Sequence, residues 1–137
     1  MKIPPIVFAS LALVLAACSS SAEWTPLPSG VEPPAYCAHA DASNVISISA
    51  NNLKFSARCM VAPAGIAFVV RFTNNESAQH DVAIYRDRAM TTKYLEGDSF
   101  TGPSVTKDYQ VPALPAGEYY FDCTIHPSDM NGALYVR

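Results

Sequence analysis

Apolar and polar positions alternate along most of the chain from Asn44 onward. Val45-Ile46-Ser47-Ile48-Ser49 sends Ile46 and Ile48 to one face and two serines to the other, the period of two expected of a half-buried strand. Asn51-Asn52 is a turn signal, and Leu53 and Phe55 repeat the pattern beyond it. Met60 to Gly65 breaks the alternation and turns the chain. Ile66 to Thr73 is the clearest strand, with Ile66, Phe68, Val70 and Phe72 inward and Arg71 and Thr73 outward. A polar loop, Asn74 to Gln79, leads into H-D-V-A-I-Y, where His80, Val82 and Ile84 share the core side. Arg86 to Gly102 is charged and aperiodic and reads as a surface excursion with room for a short helical turn. Tyr109 and Val111 mark another strand, and Pro112 to Gly117 a turn. In the next strand Tyr119, Phe121 and Cys123 point inward, Tyr120 and Asp122 outward, and Ala133 to Val136 closes the series. About seven short strands divided by Pro, Gly and Asn signals predict an all-β fold, an antiparallel β-sandwich with Greek-key connections.

The residues ahead of the strands have a different character. Lys2 and the apolar run Ile6 to Leu15, too short to span a bilayer as a finished helix, have the architecture of an export signal over residues 1–17. It ends in Leu15-Ala16-Ala17-Cys18, which resembles the lipobox of bacterial lipoproteins and implies lipidation of Cys18. An ordinary signal peptide with an incidental Cys18 is the plainer alternative. Residues 18–35 are rich in Ser and Pro and show no period, which predicts a tether; the stretch Ser19 to Pro34 alone reaches about 50 Å when extended at about 3.1 Å per residue. Trp24, its one large apolar group, suits either a lipid interface or a dock on the globular head, residues 36–137. The location implied is the bacterial cell envelope, exported and anchored to a membrane through the lipid.

Export changes how the cysteines read. With Cys18 lipidated, Cys37, Cys59 and Cys123 remain, an odd number in an oxidising compartment. A Cys37–Cys59 disulfide leaves Cys123 as a free thiol. The formal net charge of −3 offers no basic face for a nucleic acid, and a monomer is expected.

The chemistry concentrates between Gly117 and Gly132, G-E-Y-Y-F-D-C-T-I-H-P-S-D-M-N-G. A thiol (Cys123), an imidazole (His126) and a thioether (Met130) follow an inward-facing strand, and His80 supplies a second imidazole from another strand. Two imidazoles, a thiolate and a weak axial thioether make up a blue-copper electron-transfer site. Zinc accepts the same nitrogen and sulfur ligands but gains nothing from the thioether. Taken singly, Cys123 reads as a small buried hydrophobe and His80 as a satisfied core histidine; the combination and its scaffold favour one copper ion. His39, two residues after Cys37, is a solvated histidine beside a disulfide, with a second metal site as the alternative. Met60 and Met90 read as packing or surface residues.

The G-E-Y-Y-F-D-C-T-I-H run resembles the strand-and-loop signature of the cupredoxins, the small blue copper proteins, in its plastocyanin-type form. Asn75…His80-Asp81 resembles that family's N-x4-H-N entry to the first ligand. The resemblance covers about Val45 to Val136 and implies a Greek-key β-sandwich with His80, Cys123, His126 and Met130 as copper ligands. Asp81 stands where the family commonly has Asn, and is expected to accept a hydrogen bond from Thr124. The gap between His126 and Met130 lies between the shorter amicyanin-like and the longer plastocyanin-like loops. Copper enzymes of related fold need a second, histidine-rich centre, and this chain has three histidines in all. The expectation is a membrane-anchored one-electron carrier rather than an enzyme. Its partner is expected to be a redox protein, such as a cytochrome or terminal oxidase, docking near His126. A copper-binding or copper-delivery lipoprotein without a redox partner is the alternative.

Overall fold

The computed structural model describes residues 30–137. The expectations for the export signal, Cys18 and Trp24 therefore lie outside the described residues. Among the described residues twelve strands follow one another: Ala38–His39 (β1), Val45–Asn51 (β2), Lys54–Phe55 (β3), Cys59–Ala62 (β4), Phe68–Asn74 (β5), Gln79–His80 (β6), Ala83–Tyr85 (β7), Lys93–Glu96 (β8), Phe100–Thr101 (β9), Val105–Val111 (β10), Gly117–Asp122 (β11) and Asn131–Val136 (β12). A six-stranded sheet in the order β1-β4-β12-β11-β7-β8 faces a four-stranded sheet in the order β10-β5-β2-β3, and β6 and β9 form a small ribbon. The class is the expected all-β sandwich; the count exceeds seven because several strands have only two residues.

The alternation places the core. Ile46, Ile48 and Ala50 of β2 and Phe68, Val70 and Phe72 of β5 are buried against Phe121, Leu134 and Val136 of the opposite sheet. Phe55 meets Phe72 and Phe121 at ring-centroid distances of 5.8 and 5.4 Å. The aromatic column continues from Phe72 to Phe100 and Tyr109. Burying such side chains gives about 1.5–3 kcal/mol each, so this column anchors the contact between the sheets.

Several expectations are corrected. The sandwich is not purely antiparallel: β2 pairs parallel with β5, and β4 pairs parallel with both β1 and β12. Between β2 and β5 the chain visits the other sheet through β4 and returns running the same way. Ile66 is 48% exposed and precedes β5, because the turn at Pro63 to Gly65, with Gly65 at φ +70°, delays the strand until Phe68. Leu53 does not continue the inward pattern: Asn52 and Leu53 both have positive φ and form the two-residue tip between β2 and β3, the backbone that a tight hairpin needs. The excursion over residues 86–102 contains β8 and β9, and no helix occurs among the described residues. Tyr120 and Asp122 do face away from the core, yet both are buried. Tyr85 packs on Tyr120 with ring centroids 6.2 Å apart, and the Arg88 guanidinium lies over the Tyr120 ring.

Cys37 and Cys59 form a disulfide across 22 positions of sequence. It packs with Ala133 and Tyr135 and fastens β1, at the edge of the six-stranded sheet, to β4. Closing a loop of this length removes about 3 kcal/mol of unfolded-state freedom in the chain-entropy model. A Cys37→Ala/Cys59→Ala double variant is expected to lose about 3 kcal/mol of unfolding free energy in urea titration, with the spectrum of the copper-loaded protein unchanged.

Candidate metal centre

Three chain segments converge at one end of the sandwich. The first is the short ribbon in which His80 pairs with Phe100 and Gln79 with Thr101. Asn74, fully buried, organises the loop before it: its amide donates to Ala78 O at 2.8 Å and Phe100 O at 2.9 Å, and its side-chain oxygen accepts from Glu76 N at 3.0 Å. Asn75, the residue matched to the family pattern, is exposed instead. His80 emerges with no exposed surface, and its Nε2 lies 2.9 Å from Glu76 Oε1.

The second segment is the end of β11 and the loop that follows. Cys123 is the described free cysteine and is buried. Its backbone N–H donates to Met130 O at 2.9 Å, closing the loop at its base. Inside, His126 N donates to Cys123 O at 3.1 Å and Met130 N to His126 O at 2.9 Å. The two-residue and three-residue gaps of the sequence are thus two successive turns that bring His126 and then Met130 back toward Cys123. Asn131 braces the outside by donating to Pro127 O at 2.8 Å.

The third segment is β12, which must pass very close to its neighbours as it leaves the loop. A Cβ on Gly132 would stand 2.3 Å from Arg58 O and 2.6 Å from the Phe121 ring. Only glycine lets β12 start there.

Asp81 joins the first two segments. Its Oδ1 accepts Thr124 N at 2.7 Å, and its Oδ2 accepts the Thr124 hydroxyl. The carboxylate so performs the expected role in place of an amide, using both oxygens.

The structure brings His80, Cys123 and His126 together. One donor atom from each lies within 4.8 Å of the others. Cys123 Sγ is 3.8 Å from Nδ1 of both histidines, and the two imidazole rings are 4.9 Å apart at 56°. Met130 is wholly buried in the same core cluster as Cys123. His126 alone among the four is partly exposed. Burial pushes the Cys123 thiol up, so a thiolate here calls for a positive partner. A thiolate, two imidazoles and a thioether on a dry wall are the donors of a single copper ion, and the residues present fit it. His39 is exposed on β1, Met60 is in the core, and Met90 is exposed.

A buried free thiol, two histidines and a methionine at the end of a β-sandwich define the class as a cupredoxin-like metal protein. The model of the cupredoxin-like domain matches residues 7–136, and the chain belongs to that family. Among solved structures, dithionite-reduced auracyanin from the photosynthetic bacterium Roseiflexus castenholzii is similar at 22% identity and a TM-score of 0.60, over 71% of this chain and 99% of that one. Auracyanin A, a "blue" copper protein from the green thermophilic photosynthetic bacterium Chloroflexus aurantiacus, is similar at 20% identity and a TM-score of 0.60, over 68% and 98% of the two chains. Amicyanin from Paracoccus versutus shows 23% identity and a TM-score of 0.52, over 69% and 83%. At these identities the likeness is one of fold. No curated protein matches the chain.

Asp122, next to Cys123 on the opposite side of β11, has a buried Oδ1 with no hydrogen-bond partner among the described residues. Burial first, and then the charge of Asp81, raises its carboxyl to about 6, against an opposing pull from Lys93. The folded state therefore prefers the protonated form. Its contribution is fully present below the unfolded carboxyl value of about 3.9 and is lost as pH rises through about 6. Asp122→Asn is expected to raise the thermal midpoint of the metal-free protein at about pH 8 and to change it little at about pH 4. Thermal melts across that range read the difference.

Proposed function

We propose that this protein is a type 1 copper electron carrier, exported and held at a membrane of the bacterial cell envelope by a lipid on Cys18. The observation that carries the reading is the convergence of His80, Cys123 and His126 within 4.8 Å, with Met130 buried beside them. His80, Cys123 and His126 would hold the ion and Met130 would stand as the weak axial donor. A bound copper ion supplies the one-electron couple.

The chain supplies the rest. His80 is fixed by strand pairing, Cys123 by its backbone bond to Met130, and the two segments by Asp81 and Thr124. A site held this firmly changes little between charge states, which keeps the cost of electron transfer low. The buried walls exclude water, and the partly exposed His126 ring, with exposed Ile125 and Pro127 beside it, is the way out for the electron. A redox protein such as a cytochrome or terminal oxidase is the partner we assign to that face. Copper delivery suits the site less well. A delivery protein exchanges ligands with its acceptor, and here His80, Cys123 and Met130 have no exposed surface. No helix among the described residues is long and apolar enough to cross a membrane, so the anchor we assign is Cys18, followed by the tether of residues 18–35.

Adding Cu(II) to the full chain is expected to give an intense visible thiolate-to-copper band and a reversible one-electron wave. Cys123→Ser is expected to abolish both. Copper bound without the band overturns the type 1 assignment, and the band without a reversible wave favours delivery. For the anchor, mass spectrometry of the membrane fraction is expected to find a diacyl-modified Cys18 at the mature N-terminus. Unmodified protein confined to the soluble fraction would remove that part of the reading.

A further inference from the structure

The contact between Glu76 and His80 lies outside the four donors, and the roles assigned above do not explain it. Glu76 is fixed before its side chain is considered: its N–H donates to Asn74 Oδ1 at 3.0 Å and its carbonyl accepts Gly102 N at 2.9 Å. The carboxylate then reaches in two directions from one atom. Oε1 accepts Leu53 N at 2.9 Å and lies 2.9 Å from His80 Nε2. Leu53 is the exposed tip residue of the β2–β3 turn, in the left-handed conformation. His80, on the other side, has a wholly buried side chain, whereas that of Glu76 is 20% exposed. A single oxygen therefore links an exposed turn of the four-stranded sheet to the most enclosed imidazole of the site.

The chemistry of that link is directional. An ionised carboxylate only accepts hydrogen bonds, and a neutral imidazole has one donor and one acceptor nitrogen. Facing Glu76, His80 Nε2 must donate. Nδ1 is then left with its lone pair, 3.8 Å from Cys123 Sγ. The other tautomer would set a lone pair against the carboxylate and aim an N–H at the sulfur, where it could not ligate. We propose that Glu76 is the positioning residue of the centre: it holds the His80 proton on Nε2 and the ring at its angle, and through it the Asn52–Leu53 turn becomes part of the metal site. A partner of a ligating histidine's second nitrogen fixes tautomer and orientation in metal sites generally, and its loss costs about 10–100-fold in metal affinity.

The proposal rests on reading His80 as a ligand, but its first test uses no metal. Long-range proton–nitrogen correlation spectra of the metal-free full chain are expected to show His80 with the proton on Nε2 and in slow exchange with water. Glu76→Gln, whose side-chain oxygen still accepts, is expected to keep both features. Glu76→Ala is expected to mix the tautomers and speed the exchange. With copper, Glu76→Ala is expected to bind about 10–100-fold more weakly, and Glu76→Gln to recover most of that loss. A wild-type His80 carrying its proton on Nδ1 overturns the proposal, and that spectrum decides even if the alanine variant does not fold. Unchanged tautomer and exchange in Glu76→Ala overturn it equally. A retained Nε2 proton in a protein that forms no type 1 copper band upholds the proton assignment and overturns the copper reading instead.

Discussion

The bonds between Asp81 and Thr124 are where the two halves of the centre meet. His80 arrives on a ribbon of two residues per strand, and Cys123 leaves the end of a longer strand 43 positions away. Neither segment alone sets the spacing between imidazole and thiol. Asp81 follows His80 and Thr124 follows Cys123, so two hydrogen bonds one residue beyond the donors hold both in register. Hydrogen bonds to a charged group are the stronger kind, and the accepting carboxylate of Asp81 is itself buried. The remaining features serve this junction. Gly132 lets β12 pass close to Arg58, Asn74 ties the loop ahead of His80, and the aromatic column from Phe55 to Tyr109 keeps the two sheets in place.

A carboxylate at this junction has an electrostatic effect that an amide would lack. It adds a negative charge beside the donors, as does Glu76 beyond His80. Glu76 is held below the usual carboxylate range, chiefly by the Leu53 N–H and with help from His80. Negative charge near a metal favours its higher oxidation state, so these surroundings would bias a bound copper ion toward Cu(II). The disulfide at the edge of the six-stranded sheet has a complementary consequence. By consuming Cys37 and Cys59 it leaves Cys123 as the one described thiol.

Much of this was legible in the sequence, because a strand's side chains alternate with period two. That parity placed His80 and Cys123 on the core side, and counting cysteines left Cys123 unpaired. Other features were decided by tertiary neighbours. Tyr120 and Asp122 obey the outward parity yet are buried, Tyr120 beneath Tyr85 and Arg88, which no local pattern shows. The parallel pairings follow from strands that change sheets. Leu53 looked like a strand residue because it is apolar, but its backbone serves a turn and its N–H serves Glu76. Asn74 and Asn75 cannot be told apart by composition, and only the first is buried and bonded on both sides. Glu76, in a polar loop, carries no sequence signal of its contact with a histidine four positions later.

Three of the four candidate donors lie within eight consecutive residues, Cys123 to Met130, while His80 comes from the separate β6–β9 ribbon. An unfolded chain would therefore keep a thiol, an imidazole and a thioether close together and would retain some hold on copper. Binding to the unfolded state subtracts from the stability that a ligand confers on the native one. The thermodynamic advantage of the folded state for the ion consequently rests on the distant histidine and on the exclusion of water around it. The fold acts less as the source of the donors than as the device that adds one more and closes the door behind it.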